Sequence, residues 1–206
     1  MRRLICSTAA LIMWLGVLAP GQTRLDRVVA RVGTESLFET DVKAALGLGL
    51  VEPTNSLDPD GAALEQLIDR QLMLTEILRG VPPEPEAAAV DEEVQRMRNY
   101  AAGTLKSVMD ANGIDDAFLK RAARDTLRIE LYLNTRFPEL PVSDAEAQQY
   151  YNNNQSAFRR NGVLMTFDQA IGAARDQASR DRRDGRIRQW IEGLRRRTAI
   201  TRATAG

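Results

Sequence analysis

The stretch Ala62–Arg79, AALEQLIDRQLMLTEILR, decides how the rest of the chain is read. Leu64, Leu67, Ile68 and Leu72 recur at steps of three and four, the period of a helix that buries one stripe. Met73, Leu74, Ile77 and Leu78 then widen the stripe until little polar surface is left. Surface helices keep a polar face, so this helix belongs between other elements, as the central support of the fold. Gly61 precedes it, and Gly80, Pro82 and Pro83 end it. Nothing along it carries chemistry; it is a core helix.

On its N-terminal side, Asp26–Val32 (DRVVARV) is short and β-branched, and Gly33-Thr34-Glu35 reads as a turn. Ser36-Leu37-Phe38 returns as a second strand, which makes a small hairpin. Thr40 is the expected N-cap of a first helix, with Asp41 in its first turn and Val42, Ala45 and Leu46 on its buried face. Val51–Pro59 is expected to be a loop.

On its C-terminal side, Pro82-Pro83-Glu84-Pro85 is a stiff connector to a helix over 87–102 with Val90, Val94, Met97 and Ala101 as its stripe. Thr104 opens a short helix with Leu105, Val108 and Met109, closed by Asn112-Gly113. Asp115 or Asp116 opens a long helix to about Arg136, with Phe118, Ala122, Leu127, Leu131 and Tyr132 facing inward. Ser143 and Glu146 have the spacing of a capping box, so a helix follows through Tyr150 and Tyr151. Arg159–Gly162 is a turn, and Thr166 caps a last helix over Phe167–Arg197, exposed or broken near Gly185. Ile171, Ile187, Trp190, Ile191 and Leu194 are its apolar positions. Thr198–Thr201 reads as a short strand beside the N-terminal hairpin.

Met1–Gly21 stands apart. Arg2 and Arg3, the apolar run Leu4–Ala19 and the small residues Ala19 and Gly21 follow the plan of a signal peptide. The run is shorter than the roughly 20 residues that span a bilayer, which makes a permanent anchor the weaker alternative. The whole chain has 206 residues, with 28 basic and 28 acidic ones; without this leader, 26 basic and 28 acidic residues remain, a net charge of −2. No global field draws the protein to nucleic acid. Cys6 is the single cysteine and lies in the leader, so the exported protein has no disulfide and depends on packing alone.

The chain contains no histidine. Ser-His-Asp and Cys-His catalysis, zinc sites built on those ligands and histidine pH switches are thereby excluded. Gly47-Leu48-Gly49 lacks the remaining residues of a phosphate loop. The acid pairs Asp115-Asp116 and Glu92-Glu93 lie at or inside helix starts, where acids are expected for electrostatic reasons. Arg195-Arg196-Arg197 and Arg182-Arg183 are interleaved with Asp181, Asp184 and Glu192, and read as a solvated helix end favouring cations. No catalytic residue, metal site or cofactor is expected.

The order of these parts resembles the N-terminal chaperone domain of SurA-type periplasmic folding factors, the group that includes the foldase PrsA and the anchored factor PpiD. The resemblance rests on DRVVARVGTESLFETDV, LEQLIDRQLMLTEILRG and TLKSVMDANGIDDAFLKRAARDTLRIELYL, and runs from about Leu25 to Phe158. PVSDAEAQQYYNNNQSAF looks like the helix that precedes a parvulin prolyl-isomerase domain, and WIEGLRRRTAI like the element that follows it. Only Arg159–Met165 stands where that domain would be inserted, and the histidines typical of parvulin sites are missing.

The resemblance implies a mainly α fold: a SurA N-terminal-like helical domain with a small N-terminal β-hairpin and a long C-terminal helix. Its parts would be a signal peptide (1–21), the chaperone domain (22–158) and a C-terminal helix with a short strand that rejoins it (159–206). It implies a periplasmic, ATP-independent holdase without isomerase activity, membrane-anchored only if the leader stays. The partners would be unfolded polypeptides, outer-membrane proteins among them, with no nucleic acid, and a homodimer is compatible with the layout. The alternatives are a cell-envelope adaptor with one partner, and a prolyl isomerase by family name alone. Methionine adapts to varied partners, although at helical spacing it is more often core. Met73 and Met165 share this ambiguity, and the expected client-contacting residues are Met97, Tyr100, Met109, Phe118 and Tyr132.

Overall fold

The computed structural model describes residues 26–53 and 56–203. In chain order the elements are β1 (Val28–Val32), β2 (Glu35–Phe38), α1 (Glu39–Gly47), α2 (Pro59–Leu78), α3 (Ala87–Tyr100), α4 (Leu105–Asn112) and α5 (Asp116–Arg136). After them come α6 (Asp144–Asn153), a single 3-10 turn (Gln155–Phe158), β3 (Arg159–Arg160), β4 (Val163–Leu164), α7 (Phe167–Arg197) and β5 (Ile200–Arg202). The fold is mainly helical, with a small antiparallel sheet and a long C-terminal helix. The stretch Met1–Gly21 expected to be a signal peptide, its Cys6, and Asn55 of the expected loop lie outside the described residues.

The sheet has the order β2-β1-β5, antiparallel throughout. Gly33 turns β1 into β2 at φ +62°, a conformation that glycine adopts without a Cβ penalty, and donates its N–H to Ala199 O at 2.8 Å. Val32 thereby faces Glu35 on one side and Ile200 on the other. Ala30, Val32 and Leu37 join Val42 and Ala45 of α1, Ala63, Leu67, Ile68 and Leu72 of α2, and Leu194 of α7 in one core. The central placement of α2 is therefore real: it meets β1, α1, α5 and α7.

A second core joins Leu48 to Val90, Val94, Met97 and Ala101 of the α3 segment and to Leu119 and Ala123 of α5. A third lies in a distal arm, where Ala147 and Tyr151 of α6 meet Phe158, Ala170 and Ala174. The small residues Ala147, Ala170 and Ala174 allow α6 and α7 to approach closely, and Tyr151 hydroxyl closes the arm by donating to Met165 O. Asn161 (φ 51°) and Gly162 (φ 81°) form the two-residue turn between β3 and β4.

Four details differ from the sequence reading. The first helix begins two residues earlier, with Phe38 rather than Thr40 at the N-cap: Asp41 folds back to accept its N–H at 2.8 Å, while Thr40 pairs with Asp26. The central helix starts at Pro59, because Asp58 caps it by accepting from Gly61 N–H at 2.9 Å and proline suits the first turn. The buried residues of α5 are Leu119, Ala123 and Ile129, since its partner changes from α3 to α2 along its length. Lastly, α7 runs unbroken through Gly185. A helical glycine costs about 1 kcal/mol relative to alanine, and the flanking arginines offset it. Arg183 donates to Phe137 O at 2.7 Å and Asn134 Oδ1 at 2.8 Å, and Arg186 donates to Pro138 O.

Several basic residues of α7 pair with other helices. Arg195 reaches Glu65 (2.9 Å) and Asp69 (2.5 Å) on α2, Arg197 pairs with Glu76 (2.9 Å), and Arg182 pairs with Glu146. The helix end expected to be solvated keeps Arg196 and Arg197 exposed, and adds interhelical ion pairs through Arg195 and Arg197.

Candidate functional site

Among the described residues there is no group of three His, Cys, Asp or Glu placed to hold a metal ion. Three of the four acids have structural partners: Asp115 caps α5 by accepting from Phe118 N–H, Asp116 pairs with Arg98, and Glu93 with Arg96, while Glu92 is exposed. Among the described residues, the exposed apolar and aromatic surface lies chiefly in three places.

The first is the α3–α4–α5 face. Tyr100 is 54% exposed at the end of α3, and its ring lies against Gly49 (φ +65°), where an added Cβ would come within 2.8 Å of it. Gly47 likewise makes room for Val108 of α4. Met109 and Phe118 are half-buried beside the second core. Met97, expected to contact clients, is instead fully buried within that core. Its helix has a narrow stripe, but α5 and Leu48 cover all of it. Tyr132 is also apart from the others, on the second half of α5.

The second place is the apex where α2 ends. Ile77 is buried with Leu74 and Ile129, and Glu84 of the α2–α3 connector pairs with Arg124 and Arg128, so the connector lies along α5. Leu78 (53% exposed), Val81 (97%) and Leu131 (41%) are the uncovered apolar side chains there. The sequence reading placed Leu78 and Leu131 inside; Leu78 is the last residue of α2, and Leu131, two positions from buried Ile129, lies on the opposite side of α5 from it.

The third is the crossing of α5 and α7. Tyr132 and Phe137 pack against Trp190 in tilted geometry, with ring centroids 5.6 and 5.5 Å from that of Trp190. Arg136 lies over all three rings. Of this group only Tyr132 was foreseen as a contact residue. Tyr132 and Arg136 are four residues apart and so share one helix face, which is a local signal; the approach of Trp190 is not.

At the far end of the arm, Val163 of the β3–β4 hairpin is 71% exposed. A shallow cavity of about 540 Å³ beside it is lined by Arg160, Asn161, Leu164, Met165 and Gln169. No helix among the described residues is long and apolar enough to cross a membrane.

No protein-family model matches the chain. The chain is similar to the foldase protein PrsA of Clostridium botulinum: 27% identical over 123 residues for strain Hall and 25% for strain 657, covering 57% of this chain in each case. The match spans 37% of the length of those relatives, so they are much longer than the shared part. This similarity agrees with the resemblance to SurA-type folding factors drawn from the sequence.

Proposed function

We propose that the protein is a folding factor of the cell envelope, an ATP-independent chaperone that holds unfolded polypeptides on its exposed apolar faces. The similarity to the foldase PrsA carries this reading. The physical form of the surface supports it. Leu78, Val81, Leu131 and Tyr100 are large apolar or aromatic side chains left exposed to solvent. Fully burying one such side chain contributes about 1.5–3 kcal/mol. Association costs about 4–15 kcal/mol, so a few contacts of this kind give weak, reversible binding. Release then needs no nucleotide. Secreted and outer-membrane proteins are the clients we infer, with Tyr100, Met109, Phe118 and Tyr132 at the rims of the contact faces.

We further infer that the chain has no prolyl-isomerase activity of its own, since it has no histidine and a two-stranded hairpin links Phe158 to Met165. The test is aggregation of an unfolded outer-membrane β-barrel diluted from urea, followed by light scattering with increasing amounts of the protein. Concentration-dependent suppression, unchanged by ATP, is expected; undiminished aggregation at a molar excess would overturn the proposal. A proline-peptide exchange assay on the same sample is expected to show no acceleration.

A further inference from the structure

The aromatic group at the α5–α7 crossing has an occupant of its own. The Arg136 guanidinium carbon lies 5.8, 5.6 and 5.9 Å from the ring centres of Tyr132, Phe137 and Trp190. Arg136 is exposed, and among the described residues it has neither an ion pair nor a hydrogen bond. The electron-rich faces of the rings hold it instead. A planar, weakly hydrated guanidinium suits such a stack better than a compact ammonium does. All three rings are half-buried: their edges support the crossing while part of each remains open to solvent. The group is also anchored apart from Arg136, because Arg183 binds the Phe137 backbone carbonyl and Trp190 packs on the main core. Displacing Arg136 therefore leaves the rings in place.

We propose that Tyr132, Phe137 and Trp190 form a recognition site for arginine side chains of unfolded segments, which Arg136 fills when no segment is bound. This deepens the chaperone reading and rests on it for the identity of the ligand. It gives that surface a preference for basic sequences, which apolar patches alone do not supply.

The chain has two tryptophans, so Trp14→Phe leaves Trp190 as the sole tryptophan in the full-length protein, excited at wavelengths where the four tyrosines do not absorb. The probe is N-acetyl-arginine amide, with the uncharged citrulline amide as control. A saturable change in Trp190 emission is expected with the arginine probe and none with citrulline. In Arg136→Ala the half-saturation concentration is expected to fall about threefold, the factor that one exposed cation–π contact carries. Arg136→Gln, which keeps most of the stem, is expected to shift it in the same direction. Circular dichroism confirms that each variant is folded. A purely structural Arg136 would give no saturable signal in any variant, or an equal signal with citrulline, and either result overturns the proposal. The two readings separate cleanly. Failed aggregation suppression with an intact arginine titration removes the chaperone reading alone, and the reverse removes this site alone.

Discussion

In the body of the molecule, Arg195 hydrogen-bonds to Glu65 across 130 positions of sequence, and β5 pairs with β1. In the distal arm, Tyr151 hydrogen-bonds to Met165 only 14 positions away, and α6 packs on the adjacent half of α7. Both regions bury an apolar core without disulfides, but the body has eleven buried residues in its main cluster and the arm five. Local contacts require little loop closure, so a small core suffices for the arm; the body needs its larger core to offset long loops. The arm is thus a unit made of neighbouring residues, whereas the body is a clasp made from the two ends of the described chain.

The largest effect is expected from Ile68→Ala, which empties a fully buried site in the middle of the body. The cost should be about 2–5 kcal/mol, read as a lower urea midpoint. If amides of the arm keep their exchange protection through that transition, the arm is a separate cooperative unit; a single shared transition would erase the distinction.

A smaller, local effect is expected from Tyr151→Phe, which leaves Met165 O without its donor. About 1 kcal/mol should be lost, with faster amide exchange confined to 142–182. Loss of protection in β1 or α2 would show that the arm and body are not independent.

Acid should affect the clasp in particular. Hydrogen bonding to Arg202, then to Arg195, holds the Glu65 carboxyl below the usual carboxylate range. A depressed folded-state pKa contributes stability that is present above the unfolded value and lost as pH falls through the folded one. Glu65 is part-exposed, so about 0.5 kcal/mol is at stake. Melting temperatures at pH 7 and pH 3 should differ less in Glu65→Gln than in the parent.

The smallest change is expected from Asp41→Asn. Burial raises the Asp41 pKa, against the lowering effect of the Phe38 N–H and with a further rise from Asp26. For this raised group the favourable contribution belongs to the protonated form and is lost as pH rises through the folded pKa. Asparagine keeps an acceptor for Phe38 and removes the buried charge, so stability should change by less than about 0.5 kcal/mol. Asp41→Ala, which has no acceptor, should lose about 1 kcal/mol. A large loss in Asp41→Asn would mean that the charge itself holds β2 to α1.

Much of the scaffold was legible because its signals are local. Ser143 with Glu146, Gly113 at a helix end and the Pro82-Pro83 stop each act within a few residues, and each stands where it was read. The strand near 200 was legible because little else in that part of the sequence is β-branched. The departures arise where two local options compete. Thr40 is a good cap, yet Asp41 reaches the Phe38 N–H and moves the boundary. The candidate surface was the least legible part. The stripe of α3 shows that Met97 faces inward, but not that α5 and Leu48 seal it; Tyr132 and Trp190 are 58 positions apart in a sequence that gives no sign of their meeting.

The pairing of β1 with β5 also sets a timetable for the nascent chain. Residues 200–202 complete a sheet whose first strand is made at 28–32, so during synthesis β1 and β2 wait as an open-edged hairpin while nearly everything between them emerges. The arm, with its partners close in sequence, can be finished first. For most of its own manufacture this protein exposes an unpaired strand edge, and until residue 202 arrives it is itself the kind of unfinished polypeptide it is proposed to hold.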